Sequence, residues 1–203
     1  MNNKVLIIDY GICNISSVIN AIKFIDPRTK IYFKKKNIDN ASHIILPGVG
    51  AFNTGMKNLN KLDWIDKIKL KAKQGVPILG ICLGMQLLAA RSMEFGCHDG
   101  LGIIDAVVEK ISTYSKKKIV HIGWSDVIQS SKSKLLDKEK ITPFYFNHSL
   151  AVLFEKLSCA TSYFKLEKKF VASFEKDNIF GVQFHPEKSH QYGLRLLKRF
   201  MSI

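Results

Sequence analysis

The chain has 203 residues, 46% of them hydrophobic, with a formal charge of +14, which excludes a peptide-sized scaffold and a low-hydrophobicity disordered chain. The basic excess is spread evenly: residues 1–100 carry 14 basic and 7 acidic side chains, residues 101–203 carry 17 and 10. Of the basic residues 27 are Lys, and only Arg28, Arg91, Arg195 and Arg199 offer a guanidinium, a poor set for bidentate reading of bases or phosphates, so no nucleic-acid partner is expected.

Residues 4–8 read as a branched apolar strand that stops at Asp9-Tyr10-Gly11, after which Asn14, Ser16 and Ser17 offer caps for a helix running toward Phe24. Residues 29–33 and 43–46 read as further strands. The second ends at Pro47-Gly48-Val49-Gly50, before a helix expected over about 53–73. Residues 76–81 predict a buried strand that meets Cys82 at a corner, followed by a helix through Arg91. Beyond Gly96, pieces at 101–108, 118–122, 142–146 and 160–164 predict antiparallel additions. Residues 170–174 and 179–184 predict a hairpin, and 191–200 a closing helix with Leu194, Leu197 and Phe200 on one face. The lysine runs at 34–36 and 116–118 read as solvated loops or strand ends. The alternation predicts a single α/β domain over residues 1–203 with a mostly parallel sheet.

Cys13, Cys82, Cys97 and Cys159 form neither CxxC pairs nor a compact disulfide pattern, which fits a reducing cytoplasmic setting. No segment approaches the length of an apolar membrane span, so neither export nor a membrane is expected. In Gly80-Ile81-Cys82-Leu83-Gly84, flanking glycines permit a tight strand-to-helix turn whose following amides can stabilise developing negative charge. By pattern alone Cys82 reads equally as a nucleophile or as a buried structural cysteine, whereas the other three cysteines lack this setting. A nucleophilic cysteine needs a histidine held by a carboxylate or amide, and His185-Pro186-Glu187 supplies that pair after an apolar strand. The bland reading of that pair is a strand-end histidine beside a surface glutamate. His43, His98, His121, His148 and His190 are rivals without a comparable arrangement. No HExxH or close Cys/His set supports a metal, and no cofactor is expected.

The chain resembles the class I, triad-type glutamine amidotransferases and, within them, the glutaminase subunits of imidazole glycerol phosphate synthases. The segments that carry the likeness are Asp9-Tyr10-Gly11 with Asn14, Pro47-Gly48-Val49-Gly50-Ala51-Phe52, Gly80 to Gln86, His121-Ile122-Gly123-Trp124, and Gly181 to Ser189. The resemblance implies the family's three-layer α/β fold, with a mostly parallel central sheet and additional antiparallel strands. It implies Cys82 as nucleophile, His185 as acid and base, and Glu187 as its orienting carboxylate. The backbone amides of Gly50 and Leu83 are implied as the oxyanion hole, with Gln86, His148 and Ser149 beside the L-glutamine substrate. It further implies a TIM-barrel cyclase partner in a 1:1 heterodimer in histidine biosynthesis, with Tyr10, Asn14 and Trp124 near that interface. Cys13, Val120 and Asn147-His148-Ser149-Leu150 depart from the commoner family pattern. They leave the triad intact but leave open a paralogue that feeds ammonia to a bacterial surface sugar, and, further off, a non-catalytic regulatory subunit.

Overall fold

Strand β1 (Lys4–Ile7) alternates Val5 and Ile7 on one face with Leu6 and then Ile8 on the other, and all four side chains are fully buried. A strand covered on both faces is the mark of a central parallel sheet. In the computed structural model, which describes residues 3–114, 120–129, 133–136, 141–154 and 159–203, the chain continues through α1 (Ile15–Ile25), β2 (Lys30–Tyr32), β3 (His43–Leu46), α2 (Phe52–Lys61), α3 (Ile65–Lys73) and β4 (Ile78–Ile81). It then forms α4 (Leu83–Leu87), β5 (Ala89–Ser92), β6 (His98–Asp99), β7 (Ile104–Lys110), β8 (His121–Ile128), β9 (Ile141–His148), β10 (Leu150–Phe154), β11 (Ala160–Lys165), β12 (Lys169–Lys176), β13 (Ile179–Val182) and α5 (His190–Phe200).

Among the described residues the main sheet has nine strands in the order β2-β1-β3-β4-β13-β12-β11-β8-β9. The pairings from β2 to β13 are parallel, and β12, β11, β8 and β9 extend the sheet antiparallel. A second sheet, β10-β7-β5-β6, covers part of one face. The period of two in each strand splits the core. Val5, Ile7, Leu79 and Ile81 pack with Val18 and Ile22 of α1 and Leu197 and Phe200 of α5. On the other face Leu6, Ile8, Ile44 and Leu46 pack with Phe52, Leu59, Ile68 and Leu87, and with Val108 and Val152 of the second sheet. The result is the three-layer α/β arrangement, with the corner after β4 at the middle of the parallel half. The helices and the second sheet pin that corner from one side, and the antiparallel extension brings β9 and the end of β13 to it from the other.

Two expected helices end earlier than their sequence implies. The segment expected to run over 53–73 breaks at Asp63, which takes φ 50°. Trp64 then turns into the core, its amide bonded to the Leu59 carbonyl oxygen at 2.9 Å. A straight helix would leave that indole in solvent. The helix after Cys82 stops at Leu87 rather than Arg91, and Ala89–Ser92 becomes β5, held by β7 and β6. Residues 83–89 are all buried, so no amphipathic period exists there to mark a helix end. Strand β7 begins at Ile104, because Leu101, Gly102 and Ile103 are taken up in bonds to the carbonyls of Leu87, Ala89 and Leu88. The lysine run at 116–118 and the start of the strand expected at 118–122 lie outside the described residues. Among the described residues no helix is long and apolar enough to cross a membrane.

Candidate active site

Cys82 follows β4 with φ 54° and ψ −109°, a conformation that costs a non-glycine residue about 1–3 kcal/mol. The neighbourhood enforces it. The Cys82 amide donates to the Val182 carbonyl oxygen at 2.8 Å. A Cβ at Gly80 would sit 2.7 Å from the Gly84 carbonyl oxygen and from Met85, and one at Gly84 would overlap the Leu46 carbonyl oxygen. Only glycines let α4 lie this close to β3 and β4, and that closeness drives the chain through the corner that presents Cys82.

The histidine arrives from the other side. After β13 the chain runs through Gln183 and Phe184 to His185, and Pro186 opens a single 3-10 turn, Pro186–Lys188. That turn folds residues two apart onto each other, so His185 Nδ1 lies 2.8 Å from Glu187 Oε1, with both side chains 3% exposed. The His185 amide donates to the Tyr145 carbonyl oxygen at 2.9 Å, and Ser189 Oγ donates to the His185 carbonyl oxygen at 2.6 Å while accepting the Tyr145 amide at 3.0 Å. These bonds tie the loop to β9. A carboxylate only accepts, so Nδ1 carries the proton and Nε2 is left toward Cys82. Nε2 is buried and closes no hydrogen bond of its own. Burial alone would depress this imidazole, but the sulfur of Cys82 and the carboxylate of Glu187 outweigh it and raise the His185 pKa. An imidazole made more basic by a carboxylate on one side and the elbow sulfur on the other can take the thiol proton and pass it to a leaving group.

A cleft of about 300 Å³ opens at Cys82, lined by Gly50, Leu83, Gln86, His148 and Ser149 among others. All the expected substrate and oxyanion residues thus meet at one place. The Leu83 amide, however, donates to the Gly48 carbonyl oxygen at 3.3 Å, and the Val49 amide donates to the Ile12 carbonyl oxygen at 2.9 Å. Gly50 has φ +104° and no described residue lies within 4 Å of where a Cβ would stand, so glycine there serves the turn, not the packing. Gln86 is buried and donates through Nε2 to Gln183 Oε1 at 3.0 Å, and Gln183 Nε2 lies 3.7 Å from the Cys82 sulfur. Sequence reading assigned no separate role to Gln183; its place in a run that ends at His185 was the available signal. It also missed Glu94, which lines the cleft and accepts the Phe52 amide at 2.7 Å. Nothing local marks that residue, because its burial depends on α2.

The His148 ring packs in an aromatic cluster with His121, Phe146 and Phe164. Its Nδ1 donates to the Leu150 carbonyl oxygen at 2.6 Å, so its Nε2 accepts from His121 Nδ1 at 3.0 Å, and His121 Nε2 accepts from Ser125 Oγ at 2.7 Å. The His121 ring stacks on both Phe146 and Phe164, which also touch each other. Burial pushes the two imidazoles down, to about 4 for His121 and about 3 for His148. The unfolded chain protonates both near 6.5, so their contribution to stability is complete above about pH 6.5 and is lost as the pH falls toward 4. The melting temperature is therefore expected to fall steadily between about pH 6.5 and 4.5 in a thermal-shift titration. An unchanged melting temperature across that window contradicts the neutral pair.

The three residues expected near a partner separate. Tyr10 is fully buried, its hydroxyl beside Gly48 of the turn at 47–50, so any part it plays near the interface and ammonia exit is played from inside the fold. Asn14 is exposed and caps α1, accepting the Ser17 amide at 3.4 Å. Trp124 is 47% exposed, stacked on His190, and shares the outer face of β8 with exposed Val120 and Ile122. The four cysteines are free. Burial pushes the Cys13 thiol up to about 11 and raises that of Cys159, which leaves both poor nucleophiles. Among the described residues no group of His, Cys, Asp and Glu could hold a metal ion.

Known proteins resemble the chain over nearly its whole length. The chain is 43% identical over 199 residues, covering 97% of it and 98% of the relative, to the imidazole glycerol phosphate synthase subunit HisH 2 of Methanococcus maripaludis. It is 37% identical over 209 residues, 98% of this chain and 99% of the relative, to the protein of the same name in Pseudomonas aeruginosa. The solved structure of PurLQS from Thermotoga maritima superposes with a TM-score of 0.77 at 16% identity, over 100% of this chain and 99% of that one, which bears on the fold. The family described as glutamine amidotransferase class-I matches residues 6–202. With that match spanning nearly the whole chain and the named relatives more than 30% identical over nearly their full length, the chain belongs to the class I glutamine amidotransferases.

Proposed function

We propose that the whole chain is one glutaminase domain. It hydrolyses L-glutamine to L-glutamate and ammonia and passes the ammonia to a TIM-barrel cyclase, its partner in a 1:1 heterodimer, which makes imidazole glycerol phosphate in histidine biosynthesis. The observation that carries the reading is the convergence of the Cys82 elbow with the His185–Glu187 pair. Cys82 attacks the side-chain amide carbon of glutamine, and the Leu83 amide, with Gly50, holds the oxyanion. His185 takes the Cys82 proton and delivers it to the amide nitrogen, so that the C–N bond breaks with loss of ammonia and leaves a γ-glutamyl thioester, and it then activates the water that releases glutamate. Gln86 and the backbone at His148-Ser149 position the substrate, and the Glu94 carboxylate faces its α-ammonium. Free ammonia becomes mostly ammonium near neutral pH and loses its nucleophilicity, so the product needs a shielded route into a second active site.

The apolar strip of Val120, Ile122 and Trp124, with Asn14, supplies a docking face for the cyclase, and four free cysteines fit a reducing cytoplasm. The test is transfer of nitrogen. The complex is given glutamine labelled with ¹⁵N at the side-chain amide, an excess of unlabelled ammonium, and the cyclase's acceptor. Label is expected in imidazole glycerol phosphate at close to full enrichment. A product carrying only unlabelled nitrogen rejects channelling, and label in a different acceptor moves the chain to another pathway.

A further inference from the structure

In this conformation the donor that an oxyanion at Cys82 requires is occupied, since the Leu83 amide points at the Gly48 carbonyl oxygen. Hydrolysis requires that carbonyl to turn away. Gly48 is buried, and a buried carbonyl that gives up its donor without finding another lowers the population of the open turn about 10- to 100-fold. Beside Gly48 stands a group with nothing to do. The Tyr10 ring is fully buried and its hydroxyl has no hydrogen-bond partner among the described residues, although a buried tyrosine hydroxyl is normally satisfied. It touches Gly48 so closely that a Cβ there would overlap it. The residue itself is held by Asn58, whose Nδ2 donates to the Tyr10 carbonyl oxygen at 2.9 Å. Burial, with the neighbouring Cys13 and Cys82, raises the phenol pKa well above its ordinary value, so the group is a donor at every working pH.

We propose that the Tyr10 hydroxyl receives the Gly48 carbonyl oxygen when the turn at residues 47–50 rearranges, freeing the Leu83 amide, and that Tyr10 is thereby a positioning residue for glutamine hydrolysis. The proposal rests on the hydrolysis reading above. A phenylalanine would fill the same space without an unsatisfied polar atom, so the hydroxyl weakens the resting state and is used in the open one. Tyr10→Phe in the complex with the cyclase is expected to lower kcat for glutamate release about 10- to 100-fold. KM for glutamine is expected to stay within about twofold, because the hydroxyl acts on the turn and not on the ground-state substrate. The melting temperature should stay unchanged or rise, and alkylation of Cys82 by iodoacetamide, which builds no oxyanion, should keep its rate. A kcat within about twofold of the parent overturns the inference. So does a parallel fall in melting temperature and alkylation rate, which marks a merely structural role. Cys82→Ala in the same preparation separates the two readings: continued glutamate release there sinks hydrolysis through Cys82 itself, whereas its loss beside an unaffected Tyr10→Phe rejects Tyr10 alone.

Discussion

Cys82→Ala is expected to reduce glutamate release by at least about 10⁴-fold, to the background of the assay, with the fold unchanged. The scale follows from the mechanism. Without the sulfur no thioester forms, and His185 and Glu187, though still paired at 2.8 Å, have no nucleophile to activate. Groups acting as one unit lose nearly the whole of their joint effect when one is removed. The substitution is structurally mild: Cys82 is buried, and its sulfur lies 3.7 Å from Gln183 Nε2 and 3.9 Å from the Asn147 carbonyl oxygen, both long contacts. Alanine can occupy the strained corner as poorly or as well as cysteine does. Glutamine binding should therefore persist in equilibrium dialysis while turnover disappears. Turnover within tenfold of the parent would mean that the arrangement around Cys82 is not the hydrolytic centre.

The elbow was legible in the sequence because its geometry is local. Gly80 and Gly84 are required by atoms within a few residues and one adjacent strand, and the Pro186 turn that joins His185 to Glu187 is three residues long. Elements decided by distant partners were not legible. Ala89–Ser92 looks like the continuation of a helix until β7 and β6 arrive to pair with it, and Trp64 breaks a helical pattern for the sake of a core that the local sequence does not display. The same division runs through the cleft. Cys82, His185 and Gln86 carry their own motif, whereas Glu94 becomes a cleft residue only because the Phe52 amide at the start of α2 reaches it. Tyr10 lies in a loop signature that carries no local sign of burial, and only the packing of the chain beyond β1 shows its ring to be inside. The charge distribution gained little from the structure: among the described residues that line the cleft at Cys82 the one charged side chain is Glu94.

Gly84→Ala is expected to be the most damaging single-methyl change near the site. The added carbon would overlap the Leu46 carbonyl oxygen and approach the Leu46 carbonyl carbon to 2.7 Å. Neither atom can yield, because Leu46 closes β3, which is paired to β4 through Leu46 and Gly80. Helix α4 must move outward instead, and it carries Leu83, Met85 and Leu87, all buried, along with Gln86. Overpacking against backbone costs about 1–3 kcal/mol or more. A displacement of about 1 Å at the Leu83 amide misaligns the oxyanion donor enough to cost about 10²-fold in rate. Urea unfolding should show a lower midpoint with an unchanged slope, and glutamate release per folded molecule should fall by about that factor. Gly50→Ala provides the contrast: nothing lies within 4 Å of its added carbon, so its cost is confined to backbone strain at φ +104°, about 1–3 kcal/mol. If Gly84→Ala proved no more harmful than Gly50→Ala, close packing of α4 on β3 would not be what holds Cys82 at the corner.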